Sequence, residues 1–245
     1  MGKKIIRWLG LGLGLWAAVV WAGGGESTNL TELCQISVQP FLVSPVFEAD
    51  GESLRVRGRG GLGCFRLDLA RGDLQTREPQ VSGLLLDESG WQRMGDFRYR
   101  IYDGRIERWT AKAWKVLVEA GAWGPVLSPD GNRLVFNTEG LLHARLWLAE
   151  GGSHRELAHG AQQLWLPDSS ALIFSQPSAA EDGRSLAGSR LILWYLQDDV
   201  EVVLTQGPGC PMQPALSPDG KRLAWSDWHS GAIYLARLDG MGVRP

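Results

Sequence analysis

Polar turn residues, flanked on both sides by short apolar runs, are the recurring pattern of this chain. In Leu127-Ser128-Pro129-Asp130-Gly131-Asn132-Arg133-Leu134-Val135-Phe136, apolar positions lead into a Ser-Pro-Asp-Gly turn and resume after it. The arrangement returns as Leu216-Ser217-Pro218-Asp219-Gly220-Lys221-Arg222-Leu223-Ala224-Trp225. A worn copy runs from Trp165-Leu166-Pro167-Asp168-Ser169-Ser170 to Leu172-Ile173-Phe174. A fourth lies at Phe47-Glu48-Ala49-Asp50-Gly51-Glu52-Ser53-Leu54-Arg55-Val56, and the weakest is Leu85-Leu86-Asp87-Glu88-Ser89-Gly90. With Asp50, Asp87, Asp130, Asp168 and Asp219 as markers, the steps are 37, 43, 38 and 51 residues. Each copy predicts two strands joined by a tight hairpin.

The turn has a physical logic. Proline presets φ for the first corner of a type I turn, and aspartate suits the second. Glycine then takes the left-handed conformation that closes a three-residue loop with a bulge. Each unit also has a second half. Ile233-Tyr234-Leu235-Ala236-Arg237-Leu238 matches Leu146-Trp147-Leu148-Ala149, Leu193-Trp194-Tyr195-Leu196 and Cys64-Phe65-Arg66-Leu67. Short apolar strands follow at Trp114–Val118, Arg155–Leu157 and Glu201–Leu204. Four strands in a repeat near 40 residues are what a propeller blade requires. The expected fold is therefore all-β, a β-propeller of five four-stranded blades rather than six. Only Met241–Pro245 follow Asp239-Gly240, too few for an outer strand, while Gln35-Ile36-Ser37-Val38-Gln39 alternates polar and apolar upstream. This N-terminal strand is expected to complete the last blade and close the ring, leaving no exposed end edge.

Composition adds an address. Lys3, Lys4 and Arg7 form a basic front before an uncharged run from Trp8 to Ala22, and Val20 and Ala22 precede Gly23 as a cleavage site would. Residues 1–22 read as a signal peptide. The alternative is a membrane anchor, for which the run is short. Residues 23–245 then form a single propeller domain outside the cytoplasm, periplasmic or secreted. The 32 glycines fit many short strands joined by turns, and a net charge of −2 excludes a field suited to nucleic acid. Contact with a membrane is expected only through an uncleaved leader. Three cysteines, Cys34, Cys64 and Cys210, allow one disulfide at most. If one forms, Cys64–Cys210 is the expected pair, because both belong to loops or strand ends on one face of neighbouring blades.

The turn Ser217-Pro218-Asp219-Gly220, followed by Trp225-Ser226-Asp227, Gly231, Ile233-Tyr234 and Asp239-Gly240, resembles the TolB-type propeller repeat. The similarity covers most of residues 44–240 and is sharp in two copies. It implies a periplasmic or secreted propeller that binds proteins or peptides and does not catalyse. Two departures stand out: residues 23–43 leave no room for the α/β domain of the complete TolB protein, and five units are counted where that protein has six. The fold carries over. A role in the Tol–Pal system does not.

No nucleophile elbow, phosphate-binding glycine loop or metal-ligand spacing is present, so no catalytic residue, metal or cofactor is expected. His143, His154, His159 and His229 fall in or near loops, and the turn aspartates are explained by hairpin chemistry. Trp123 and Met212 sit where the chain enters an inner strand, and Trp228 and His229 in a loop between second and third strands. Both loop types open on one face, around the channel mouth, where such side chains suit recognition of a protein or peptide. Alternatively they fold over the rim and cap the core. Arg55, Arg57 and Arg59, echoed at Arg98 and Arg100, alternate with period two and are expected to pair with carboxylates of a neighbouring blade, an anion-binding groove being the alternative. The chain thus reads as a monomeric, non-catalytic binding or scaffold module. A propeller-type sugar lyase or hydrolase, with its site at the channel mouth, is the alternative.

Overall fold

Three strands precede the first repeat: β1 (Ile5–Arg7), β2 (Ala17–Val20) and β3 (Leu30–Val38). The first sheet contains β4 (Leu42–Phe47), β5 (Ser53–Gly58), β6 (Cys64–Asp68) and β7 (Leu74–Arg77). The second contains β8 (Gln92–Met94), β9 (Phe97–Tyr102), β10 (Arg105–Trp109) and β11 (Trp114–Val118). The third contains β12 (Ala122–Leu127), β13 (Arg133–Thr138), β14 (Arg145–Glu150) and β15 (Ser153–His159). The fourth contains β16 (Ala161–Trp165), β17 (Ala171–Ala179), β18 (Leu186–Tyr195) and β19 (Val200–Val203). The last begins with β20 (Pro211–Leu216), β21 (Arg222–Asp227) and β22 (Ile233–Leu238). This is a computed structural model, and it describes residues 5–7, 17–20, 30–38, 42–58, 63–71, 74–77, 92–94, 97–102, 105–110, 112–119, 121–150, 153–205 and 209–238.

Within each of the first four sheets the strands follow chain order and pair antiparallel. In the last, β3 lies beside β22, with Ile36 opposite Ile233 and Cys34 opposite Leu235. Strands β2 and β1 extend that sheet beyond β3. Gln39 falls outside the described residues. So does the weakest repeat, Leu85–Gly90. In the second sheet Met94 pairs with Phe97, so the turn joining its first two strands follows Met94 and not Asp87.

Side-chain alternation decides how the sheets stack. Leu134 and Phe136 pack with Ile106 of the second sheet, whereas Val135 packs with Leu172 and Phe174 of the fourth. Ile173 and Leu193 turn the other way, towards Leu223 and Trp225 of the last sheet. Ala224, Ile233 and Leu235 then join Phe47, Leu54 and Val56 of the first. The middle strands of the third, fourth and last sheets thus supply one apolar face to the sheet before and one to the sheet after, as strand alternation allows. The inner strand β4 packs against β20, β20 against β16, and β16 against β12.

The turns stack as well. Arg133 donates to the Ser169 carbonyl at 2.5 Å, and Arg222 to the Gly51 carbonyl at 2.6 Å. Each acceptor is the third turn residue of the next repeat. Arg133 also lies over Trp165 (5.1 Å) and Arg222 over Phe47 (5.7 Å), two rings at matching positions. Ser169 replaces glycine with φ +62°, and its hydroxyl accepts the Asp130 N–H at 3.0 Å. The worn copy therefore keeps the turn and adds a contact.

The expected Cys64–Cys210 disulfide is absent, and both thiols are free. Phe65 and Leu67 of β6 face the last sheet, so alternation turns Cys64 away from it, while Cys210 is buried at that sheet.

Candidate functional site

The loops between second and third strands, and those entering the inner strands, open on one face. Each of four inner strands carries a bulge there, with a positive φ at Ser44 (+53°), Gly124 (+57°), Gln162 (+57°) and Gln213 (+55°). Side-chain amides bridge these bulges from sheet to sheet. Gln162 Oε1 accepts the Gln213 N–H at 2.8 Å, and Gln213 Oε1 accepts the Ser44 N–H at 2.8 Å. Gln163 donates to the Gly124 carbonyl at 2.5 Å. Backbone groups that the bulges would otherwise strand are thereby satisfied: the N–H of Ser44 and of Gln213, and the carbonyl of Gly124.

Trp123 and Met212 occupy the same place, one residue before a bulge. Trp123 is half-buried, and its indole N–H donates to the Glu139 carbonyl at 2.6 Å. Met212 is 0% exposed, so its expected place on an accessible rim is corrected: it belongs to the interior. Trp228 is half-buried and its backbone N–H meets the Cys210 carbonyl at 2.8 Å. His229 is exposed, with Nε2 3.4 Å from the Leu186 carbonyl of the fourth sheet. Trp228 and His229 thus share the border of the last and fourth sheets, whereas Trp123 stands on the third.

Two features of this face lay outside the sequence-based expectation. The first is Asp227, a buried carboxylate. Its Oδ2 accepts the Cys210 N–H at 2.7 Å, and Oδ1 accepts the N–H (2.7 Å) and hydroxyl (2.8 Å) of Ser230. Burial opposes its ionisation, but the backbone donors of Cys210 and Ser230 outweigh that, so its pKa is lowered. Burial, aided by this carboxylate, pushes the Cys210 thiol up to about 11. That thiol is protonated at neutral pH and is a poor nucleophile. Asp227 organises loops; nothing here resembles an activated pair.

The second feature is the β17–β18 hairpin. Its strands run nine and ten residues, against six in β13 and β14. Pairing continues from Ala171–Tyr195 out to Ala179–Leu186. Asp182 closes the tip by accepting the Arg184 and Ser185 N–H groups and the Ser185 hydroxyl, and the Ser185 bonds and then that of Arg184 lower its pKa to about 2. The signal for this extension was in the repeat spacing, since the step from Asp168 to Asp219 is the longest.

His143, His154 and His159 are exposed. Among the described residues no group of three or more His, Cys, Asp or Glu side chains is placed to hold a metal ion, and no helix is long and apolar enough to cross a membrane. A cavity of about 120 Å³ lies between the second and third sheets, lined by Arg108, Lys115, Leu117, Leu134, Ala149 and Glu150 among others.

Four-stranded antiparallel meanders, stacked face to face with their inner strands side by side, define a β-propeller. No protein-family model matches the chain, and no curated protein matches it. Among solved structures it is similar to TolB from Acinetobacter baumannii, at 11% identity over 91% of this chain and 60% of that one, with a TM-score of 0.41. It is similar to a chain of a nidogen/laminin complex, at 15% identity over 86% and 89%, TM-score 0.43. Oligogalacturonate lyase from Vibrio parahaemolyticus is matched at 10% identity over 94% and 68%, TM-score 0.44. Likeness at this level carries no argument about activity or partner. The propeller assignment rests on strand order and packing.

Proposed function

We propose that this chain is an exported, non-catalytic propeller of five blades with a TolB-type repeat, which binds a protein or peptide on the face that carries the β17–β18 hairpin. The observation that carries the binding reading is that hairpin, which projects from the fourth sheet beside Trp228 and His229. A rigid projection beside a half-buried indole and an exposed imidazole offers an anchored ledge of the kind protein partners use. Ring closure is supported by two contacts. Apolar residues of the first and last sheets share one cluster, and β3 supplies the strand that the last sheet lacks. Removal of residues 1–22 as a signal peptide takes β1 and β2 away and leaves a four-stranded last blade, β20-β21-β22-β3.

Capture from native cell envelope on the immobilised mature chain tests the binding reading. One specific protein should be retained, and lost with a chain carrying Trp228→Ala and His229→Ala. Turnover of a sugar or peptide panel by the purified protein would favour an enzyme instead.

A further inference from the structure

The seam between the first and second sheets is built unlike the others. Cross-strand pairs that face the following sheet are Val135 with Leu148 in the third sheet, Ile173 with Leu193 in the fourth, and Ala224 with Leu235 in the last. All are apolar, and each sits in a hydrophobic cluster with the next sheet. The corresponding pair of the first sheet is Arg55 with Arg66. Arg57 is the next residue on that face of β5, where the other sheets place Asn137, Ser175 and Ser226. The second sheet answers in kind. Ile106 faces the third sheet, so its neighbour Glu107 faces the first, paired across the strands with Arg100. Elsewhere such backward-facing pairs are Phe136 with Trp147, Phe174 with Ile192 and Trp225 with Tyr234.

These charges are unevenly satisfied. Arg66 pairs with Asp50 at 2.8 Å, and Arg100 forms an ion pair with the buried Glu107 while lying 4.4 Å over the ring of Trp114. Arg55 and Arg57 make no ion pair or hydrogen bond among the described residues. Yet Arg55 is half-buried and stands directly across from another arginine, an arrangement that costs stability. The walls are also open: Tyr102 is 60% exposed and Val46 43%.

We infer that this seam is a binding cleft for an extended acidic peptide segment of a partner protein. The inference rests on the ring proposed above, which sets the two faces opposite each other. Arg55 and Arg57 lie two residues apart on one strand face, about 6.6–6.8 Å. Carboxylates at alternate positions of an extended peptide have the same spacing, so two charge-assisted pairs form in register. The exposed ring of Tyr102 offers a flat surface for the peptide's intervening side chains. With a net charge of −2 the chain lacks the broad basic field that a long polyanion needs, which favours a short acidic segment over nucleic acid or a sulfated glycan.

The test uses the full mature chain and a fluorescent octapeptide of alternating glutamate and threonine, read by anisotropy. Binding should weaken as salt is raised, and a chain carrying Arg55→Gln and Arg57→Gln should bind about tenfold more weakly. The same double variant should melt no lower than the parent, because among the described residues neither charge has a partner to lose. A lower melting point with no change in peptide affinity would mean that the arginines pair inside the ring, and the inference falls. It falls equally if the peptide does not bind, or if heparin or single-stranded DNA binds as tightly through the same arginines. Failure of the ring itself is read separately, from the melt of a chain lacking residues 23–40. If that truncated chain melts like the parent there is no ring, whatever the peptide does.

Discussion

A Cβ built on Gly160 would lie 2.5 Å from the ring of Phe174. Gly160 leads into β16, and its carbonyl accepts the buried Asn137 amide at 2.7 Å. Gly160→Ala should therefore cost about 1–3 kcal/mol in a urea denaturation series, and an unchanged midpoint would show that the close approach is relieved. This position was not legible in the sequence, where Gly160 is one glycine among 32. The turn glycines were legible, and Gly131 and Gly220 hold φ of +75° and +72° as the Ser-Pro-Asp-Gly pattern required. Met212 follows the alternative of the two readings, capping the core, because a position in sequence places a side chain near a rim without saying what covers it. Asp227 carries a pH signature. Its native pKa lies below that of an unfolded aspartate, about 3.9, so its ionised form stabilises the fold fully above that value. The contribution is lost as pH falls through the lowered native pKa. Thermal melts of Asp227→Asn should consequently lie below the parent at neutral pH, with the gap narrowing as the solution is acidified towards and below pH 4. Cys210 should resist thiol reagents at mildly alkaline pH until the chain unfolds, whereas half-buried Cys64 reacts in the native state. Mass mapping of the labelled peptides distinguishes them.

At the scale of elements, the turns are the devices that hold one blade to the next. Arg133 and Arg222 each donate to the backbone of the following turn and lie over the ring at its entrance. Arg133→Met and Arg222→Met keep much of the aliphatic stem, so the loss isolates the guanidinium contact and should be about 1–2 kcal/mol for each. Equal melts for parent and variants would remove the turn stack as a source of stability. Both arginines are visible in the aligned repeats, but their partners are not. Arg133 reaches a residue 36 positions away, and Arg222 one 171 positions away. Local pattern gives the hairpin; only the stacking of sheets gives the bond between hairpins. The same limit explains the disulfide, since neighbouring blades were foreseen but the facing of Cys64 was not.

For the whole molecule, the propeller class, the hairpins and the repeat boundaries of the third, fourth and last sheets were all legible, because a repeated turn fixes them. The second sheet was not, since its expected turn at Asp87 is too degenerate to mark its first hairpin. Deletion of residues 23–40 removes β3 and exposes β22 as an unpaired edge. Cooperative loss of stability and aggregation through that edge are expected, measured by calorimetry and light scattering. A truncated chain that stays monomeric and melts like the parent would make the segment a tail. The pairing of Ile36 with Ile233 also has a kinetic consequence. Its two strands are separated by nearly the whole domain, so their meeting carries the largest loop-closure entropy of any strand pairing among the described residues. Blades made of consecutive strands are free to form early, while the last must wait for both ends of the chain. Docking of β3 is then the expected final step of folding, a slow refolding phase that deletion of residues 23–40 should abolish, and it would set how long β22 stands open to another chain.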